Sequence, residues 1–135
     1  MLEGIAKAVL VVLTSIRMSM PTQEDIDLLA NVIYWENWHT DGDHLAAYYT
    51  GAVVLNRVNS DEWPNSVKEV LYQRGQYSTT KYFYTKDIPI ECKYMALRLL
   101  VFGAPEVPSN VIFQSMRPLG SGVWKKVNTD YFCYE

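Results

Sequence analysis

The residues best suited to chemistry lie in one short segment, NVIYWENWHTDGDH at positions 31–44. An apolar run ends in a single glutamate, Glu36, flanked by Trp35 and Trp38, and an acidic loop bounded by His39 and His44 follows. On a helix counted from Ile26, Glu36 falls at about 280°, between Leu29 at about 300° and Val32 at about 240°. Asn31 and Asp27 hold the polar edge instead. A carboxylate on an apolar sector is either paired, or kept partly desolvated for a purpose. Desolvation raises a glutamate's pKa, so the second arrangement is what a general acid working near neutral pH requires. Leu29, Val32, Trp35 and Trp38 can provide that setting.

Other residue types carry weaker signals. Asn56 lies at about 20° from Leu45 on its own helix, inside the apolar face, so its amide belongs either to a core network or to a substrate contact. The segment His39-Thr-Asp-Gly-Asp-His44 has metal-ligand residue types. It lacks the twelfth-position glutamate of a calcium loop, and its two histidines have no zinc spacing, so neither a metal nor any other cofactor is expected. Ser66, Thr79 and Thr80 have no base in a recognisable order, and Cys92 and Cys133 have no histidine at a readable distance, so a nucleophile is unsupported. Gly75-Gln76-Tyr77-Ser78 offers an amide and a ring on a loop, a combination that suits sugar binding.

The elements that must position these residues read as mainly helical with a β end, an α+β class. Ile5, Val9, Val12, Leu13 and Ile16 recur at helical spacing and predict a first amphipathic helix. Pro21 and the capping-box-like Thr22-Gln-Glu-Asp25 start a second helix over about 23–37, apolar nearly all round and so central and buried. After a turn at Asp41-Gly42-Asp43, a third helix is predicted from about 44 to 58. Trp63-Pro64-Asn65-Ser66 caps a short helix through about residue 72. A long loop runs from Gly75 to Pro89. Pro89, Gly103 and Pro105 frame a helix over 89–102. Val111, Phe113, Val123, Lys125 and Val127 then alternate around Gly120-Ser121-Gly122, as in a β-hairpin. Without repeat, low complexity or linker, residues 1–135 read as one domain, an N-terminal helix over 1–20 before a core over 21–135.

Composition narrows the function classes. A net charge of −3 gives no general attraction to nucleic acid. No 18-residue apolar span predicts a membrane helix. Two distant cysteines define no disulfide framework. Ten tyrosines and four tryptophans suit a core with a ring-stacking groove. The opening MLEGIAKAVLVVLTSIRMSM carries Glu3 and has no small-residue cleavage site, so it reads as a helix rather than a signal peptide, and no export route is visible.

The order of the motifs says more than any one of them. LLANVIYWE ending at Glu36, then DGD, AVVLNRV around Asn56, WPNS ending at Ser66, and RGQY with Gln76 and Tyr77 follow one another. In this order they resemble the cell wall hydrolase family typified by bacterial spore cortex-lytic enzymes. The likeness runs from about Asp25 through Tyr77 and continues more loosely through Ala96-Leu97 and the C-terminal VIFQS, GSGVW and YFC. The resemblance implies a lysozyme-like fold that cleaves peptidoglycan glycan strands between N-acetylmuramic acid and N-acetylglucosamine, in the cell wall or outside the cell. It makes Glu36 the catalytic acid and puts Asn56, Ser66, Gln76 and Tyr77 near the cleft. Two departures stand out. A second glutamate often found in the family is replaced by His39 or Thr40, and a histidine near the C-terminus by Thr129 or Asp130.

Protonating the leaving oxygen is Glu36's implied task. Hydrolysis usually wants a second carboxylate, for which Asp41, Asp43, Asp61 and Glu62 are the sequence candidates. A lytic transglycosylase needs none, because the 6-hydroxyl of the muramic acid attacks, and the sequence favours that route. Two readings from other classes remain: an inactive glycan-binding module, and a small protein whose Tyr- and Trp-rich surface binds a protein partner. Nothing in the sequence indicates an oligomeric state.

Overall fold

The computed structural model describes residues 3–5, 7, 20–39 and 44–135. Four helices and a three-stranded sheet make up the described chain. Helix α1, Gln23–Ile33, starts where Thr22 Oγ1 accepts from the Asp25 amide at 3.1 Å, and its residues Leu28 to Ile33 are all buried. Helix α2 spans His44–Val58. Helix α3, Val67–Leu71, is capped by Ser66, whose Oγ accepts from the Glu69 amide at 3.2 Å. A single 3₁₀ turn, Ser78–Tyr82, interrupts the long loop. Helix α4, Ile90–Phe102, begins after Pro89 and ends at Gly103, which takes a φ of 68° that glycine adopts without strain. These bounds follow the expected ones because caps and apolar periodicity are local properties. Of the predicted first helix, residues 3–5 and 7 are helical, and the rest lies outside the described residues.

Helices α1, α2, α3 and α4 share one core that includes Leu29, Val32, Ile33, Val54, Leu71 and Leu99. Gly51 lets α2 approach its neighbours, since a Cβ there would lie 2.5 Å from Leu99 Cδ1 and 3.2 Å from Ile33 Cδ1. A second core of Tyr49, Ala52, Val53, Val107, Val111 and Phe132 joins the other face of α2 to the sheet.

The sheet departs from the expected hairpin. Strand β1 is Val111–Ser115, β2 is Gly122–Val127 and β3 is Asp130–Tyr134, with spatial order β1-β3-β2 and both pairings antiparallel. The segment Gly120-Ser121-Gly122 is therefore not a turn between paired strands. It carries the chain across the end of β3, where the Ser121 amide donates to the Tyr134 carbonyl at 3.2 Å. Gly120, at φ 62°, passes so close that a Cβ would sit 1.9 Å from that same oxygen. The tight hairpin joins β2 to β3, through Asn128-Thr129, with Asn128 at φ 53°, a conformation asparagine tolerates better than most residues.

Candidate active site

Glu36 does not sit on a regular α-helix. After Ile33 the helix widens into a π-type turn, Tyr34–Trp38, in which the His39 amide reaches back to the Tyr34 carbonyl. Such widenings cluster at functional sites. The widened turn is pinned to α2 by Asn37. Its buried amide donates to the Thr50 hydroxyl and, at 3.4 Å, to the Ala46 carbonyl. Leu29 and Val32 stay fully buried, whereas Glu36 is half-buried and reaches a cavity instead of the core.

That cavity, of about 380 Å³, is bordered by Glu36 and by Arg57 from α2. Gly75, Gln76 and Tyr77 close it from one loop, and Phe113, Gln114 and Ser115 from β1. Met116, Leu119 and Asp130 complete the lining. Thr79, from the 3₁₀ turn, donates its hydroxyl to Glu36 Oε1 at 2.7 Å. Burial pushes the Glu36 carboxyl above its ordinary range; the Thr79 hydrogen bond pulls it down, Asp130 pushes it up and His39 pulls it down. Burial wins, so Glu36 holds its proton more tightly than a solvated glutamate does.

Arg57 organises the walls. Its Nε donates to the Ile112 carbonyl at 2.7 Å and its Nη1 to Gln76 Oε1 at 3.1 Å, while the guanidinium stacks 4.1 Å from the Trp63 ring centre. Ile112 lies at the irregularity of the β1–β3 ladder between Val111 and Phe113, so a side chain caps its carbonyl there. Arg57 is buried and forms no ion pair with Glu36 among the described residues. The Glu36 carboxylate is therefore not the anionic half of a structural pair with that arginine. Tyr77 lies within 5.3 Å of the same guanidinium, and burial pushes its phenol up to about 12. Two buried polar atoms beside the cavity, Tyr77 Oη and Gln114 Oε1, have no hydrogen-bond partner among the described residues. Unsatisfied buried groups of this kind are rare in native proteins and call for an explanation.

The residues singled out from sequence divide into two groups. Gln76 and Tyr77 border the Glu36 cavity. Asn56 and Ser66 border a different groove, with Asn59, Asn65 and Gly103. There the Asn56 amide is used up on the Pro108 and Val111 carbonyls, at 3.0 and 2.9 Å, and ties α2 to β1. Ser66 caps α3. Among the candidate second carboxylates, Asp61 borders a third hollow and Glu62 is exposed, while Asp41 and Asp43 lie outside the described residues. Trp38 stacks on His44, with ring centres 3.9 Å apart, and His39 Nδ1 lies 2.9 Å from the Tyr34 carbonyl. Among the described residues no three His, Cys, Asp or Glu side chains gather as a metal would need. Cys92 and Cys133 are buried and unbonded.

Sequence reasoning missed Arg57, Thr79, Gln114 and Asp130. Arg57 had a readable signal, a charge inside the apolar face of a buried helix that must find acceptors. Asp130 had only its place where the family resemblance suggested a histidine, and Thr79 had no signal towards Glu36, because only the tertiary fold brings the two together.

The sequence matches the family model described as Cell Wall Hydrolase over residues 42–128. The chain belongs to the cell wall hydrolase family. That span begins after Glu36 and ends before Asp130, so the hydrolase's candidate site extends past both of its edges. The hydrolase is also similar in fold to the catalytic domain of the Bacillus cereus SleB protein, with a TM-score of 0.66 at 23% identity. The alignment covers 85% of this chain and 95% of that one. No curated protein matches the sequence. Family membership makes peptidoglycan the substrate class and the cell wall the place of action. Among the described residues no helix is long and apolar enough to cross a membrane.

Proposed function

We propose that this hydrolase cleaves the glycan strands of peptidoglycan between N-acetylmuramic acid and N-acetylglucosamine, with Glu36 as general acid and then general base. One observation carries the reading: a glutamate whose carboxyl burial pushes above its ordinary range borders an open cavity and receives a hydrogen bond from Thr79, with no cation paired to it among the described residues. Glu36 gives its proton to the glycosidic oxygen as the bond to the muramic C1 breaks, leaving positive charge on the sugar ring. The resulting Glu36 carboxylate accepts the proton of the muramic 6-hydroxyl as that oxygen attacks C1. An anhydro end forms without water, the lytic transglycosylase route, and Glu36 is the one acid–base group it requires. Gln76 and Tyr77 are the sugar contacts of this reading, while Asn56 and Ser66 hold the scaffold behind them.

The test is digestion of purified glycan strands by wild type and Glu36→Gln, with the products weighed by mass spectrometry. A general acid contributes about 10²–10⁴-fold in rate, so cleavage by the variant should fall by that factor. Retained cleavage refutes the assignment of Glu36. Binding of strands without turnover by the wild type would make the domain a glycan-binding module.

A further inference from the structure

The sequence offered Asp41, Asp43, Asp61 and Glu62 as second carboxylates, and the fold brings another, Asp130, to the Glu36 cavity. Asp130 opens β3 and borders the same cavity as Glu36, and it is close enough for its charge to push the Glu36 carboxyl upward. Its orientation is not left to solvent. Gln114 Nε2, from the neighbouring strand β1, donates to Asp130 Oδ2 at 3.3 Å, and the β-ladder sets Asp130 opposite Val127. A carboxylate only accepts, so the Gln114 amide must turn its nitrogen to Asp130, which leaves Oε1 as the buried atom without a partner. That unsatisfied acceptor is the cost of holding Asp130 in place. Hydrolysis of a glycosidic bond uses two carboxyl groups at one cleft, one as the acid and one beside the attacking water.

We propose that Asp130, oriented by Gln114, activates a water for attack on the muramic C1 and so gives the cleft a hydrolytic branch beside the anhydro-forming one. This rests on the reading of Glu36 as the acid. Both branches share the first step, in which the C1–oxygen bond breaks and the Glu36 proton goes to the departing sugar. In the hydrolytic branch a water oxygen bonds to C1 and its proton passes to Asp130, which then releases it to solvent while Glu36 is reprotonated. The product carries a reducing end and is one water heavier than the anhydro product.

Both products leave a common first step, after which Glu36 as base serves only the anhydro branch and Asp130 only the hydrolytic one. A weaker Glu36 base would raise the reducing-to-anhydro ratio, whereas loss of Asp130 must lower it. Mass spectrometry of digests therefore isolates Asp130. Wild type is expected to release both kinds of end, and Asp130→Asn to lower the reducing-to-anhydro ratio at least tenfold. Glu36→Gln should lower both products by about 10²–10⁴-fold; if it does not, the underlying reading of Glu36 fails whatever Asp130 does. Only anhydro ends from the wild type, or an unchanged ratio in Asp130→Asn, overturns the proposal while leaving Glu36 in place. A changed pH profile at a constant or raised ratio also overturns it, since Asp130 would then act on Glu36 alone. Should Asp130→Asn melt too low to assay, Gln114→Met removes the orienting donor at similar length and must shift the ratio in the same direction.

Discussion

Removing the Thr79 hydroxyl while keeping its shape, as Thr79→Val does, tests how the Glu36 proton is controlled. The hydroxyl donates to Glu36 Oε1 at 2.7 Å in a half-buried site. A hydrogen bond to an ionised acceptor is worth about 1.5–3 kcal/mol, and one between neutral groups about 0.5–1.5 kcal/mol. The substitution should therefore cost about 1.5–3 kcal/mol where Glu36 is ionised and about 1 kcal/mol less where it is protonated. The sign follows from linkage. Burial already raises the folded pKa of Glu36 above its unfolded value, so its contribution to stability is full below about pH 4.3 and is lost as pH rises through the folded pKa. Thr79 opposes that rise. Without it the folded pKa climbs further, and the loss continues to higher pH. The catalytic profile must move the same way: the alkaline limb, where a general acid loses its proton, shifts to higher pH. Urea unfolding from pH 4 to 8, paired with glycan cleavage over the same range, reads both effects. An equal destabilisation at pH 4 and pH 8 with an unmoved alkaline limb would refute the reasoning and make Thr79 a packing contact.

The remaining expectations concern Glu36 and the scaffold around it. Glu36→Gln removes a carboxylate whose ionisation opposes folding, so its melting temperature at pH 7 should equal or exceed that of the wild type; a markedly lower value would show a structural ion-pair partner. Arg57→Met strands the Ile112 carbonyl and frees Gln76, and should lower unfolding free energy by about 2–4 kcal/mol together with activity; an unchanged urea midpoint would show that the guanidinium bonds contribute nothing. Gly51→Ala gains helix propensity of up to about 1 kcal/mol but forces a methyl to 2.5 Å from Leu99 Cδ1, an overpacking cost of about 1–3 kcal/mol. A net loss of about 1–2 kcal/mol is expected by thermal melting, and stabilisation would mean that Leu99 moves aside freely.

What the sequence made legible was whatever a few neighbouring residues decide. Thr22, Ser66, Pro89 and Gly103 mark helix ends through bonds and backbone angles within one turn, and the helices start and stop beside them. Glu36 stood out because its neighbours are apolar. The π-type turn that aims it did not, since that turn depends on Asn37 meeting Thr50 across two helices. Strand order was invisible for the same reason. Alternation marks strands but cannot show that β3 slips between two others, and the glycine-rich segment imitated a hairpin turn while serving as a crossing. The site suffered most from this. Thr79 is 43 residues from Glu36 in sequence, and Asp130, at a position where the family resemblance suggested a histidine, could be recognised as a cleft residue only once β3 had been placed. The sequence's preference for the transglycosylase route rested on the lack of an obvious second carboxylate, and the carboxylate that borders the Glu36 cavity, Asp130, was not among those it named.

The place of β3 also sets a timetable. It is the last of the three strands to be synthesised and the middle one in space, so neither β1 nor β2 has an edge to pair with until it emerges. On a ribosome the helical portion can gather early, since domains tend to condense from the N-terminal side, but the wall that carries Asp130 is missing from every shorter nascent chain. The docking of that one strand therefore closes the sheet and one wall of the Glu36 cavity together.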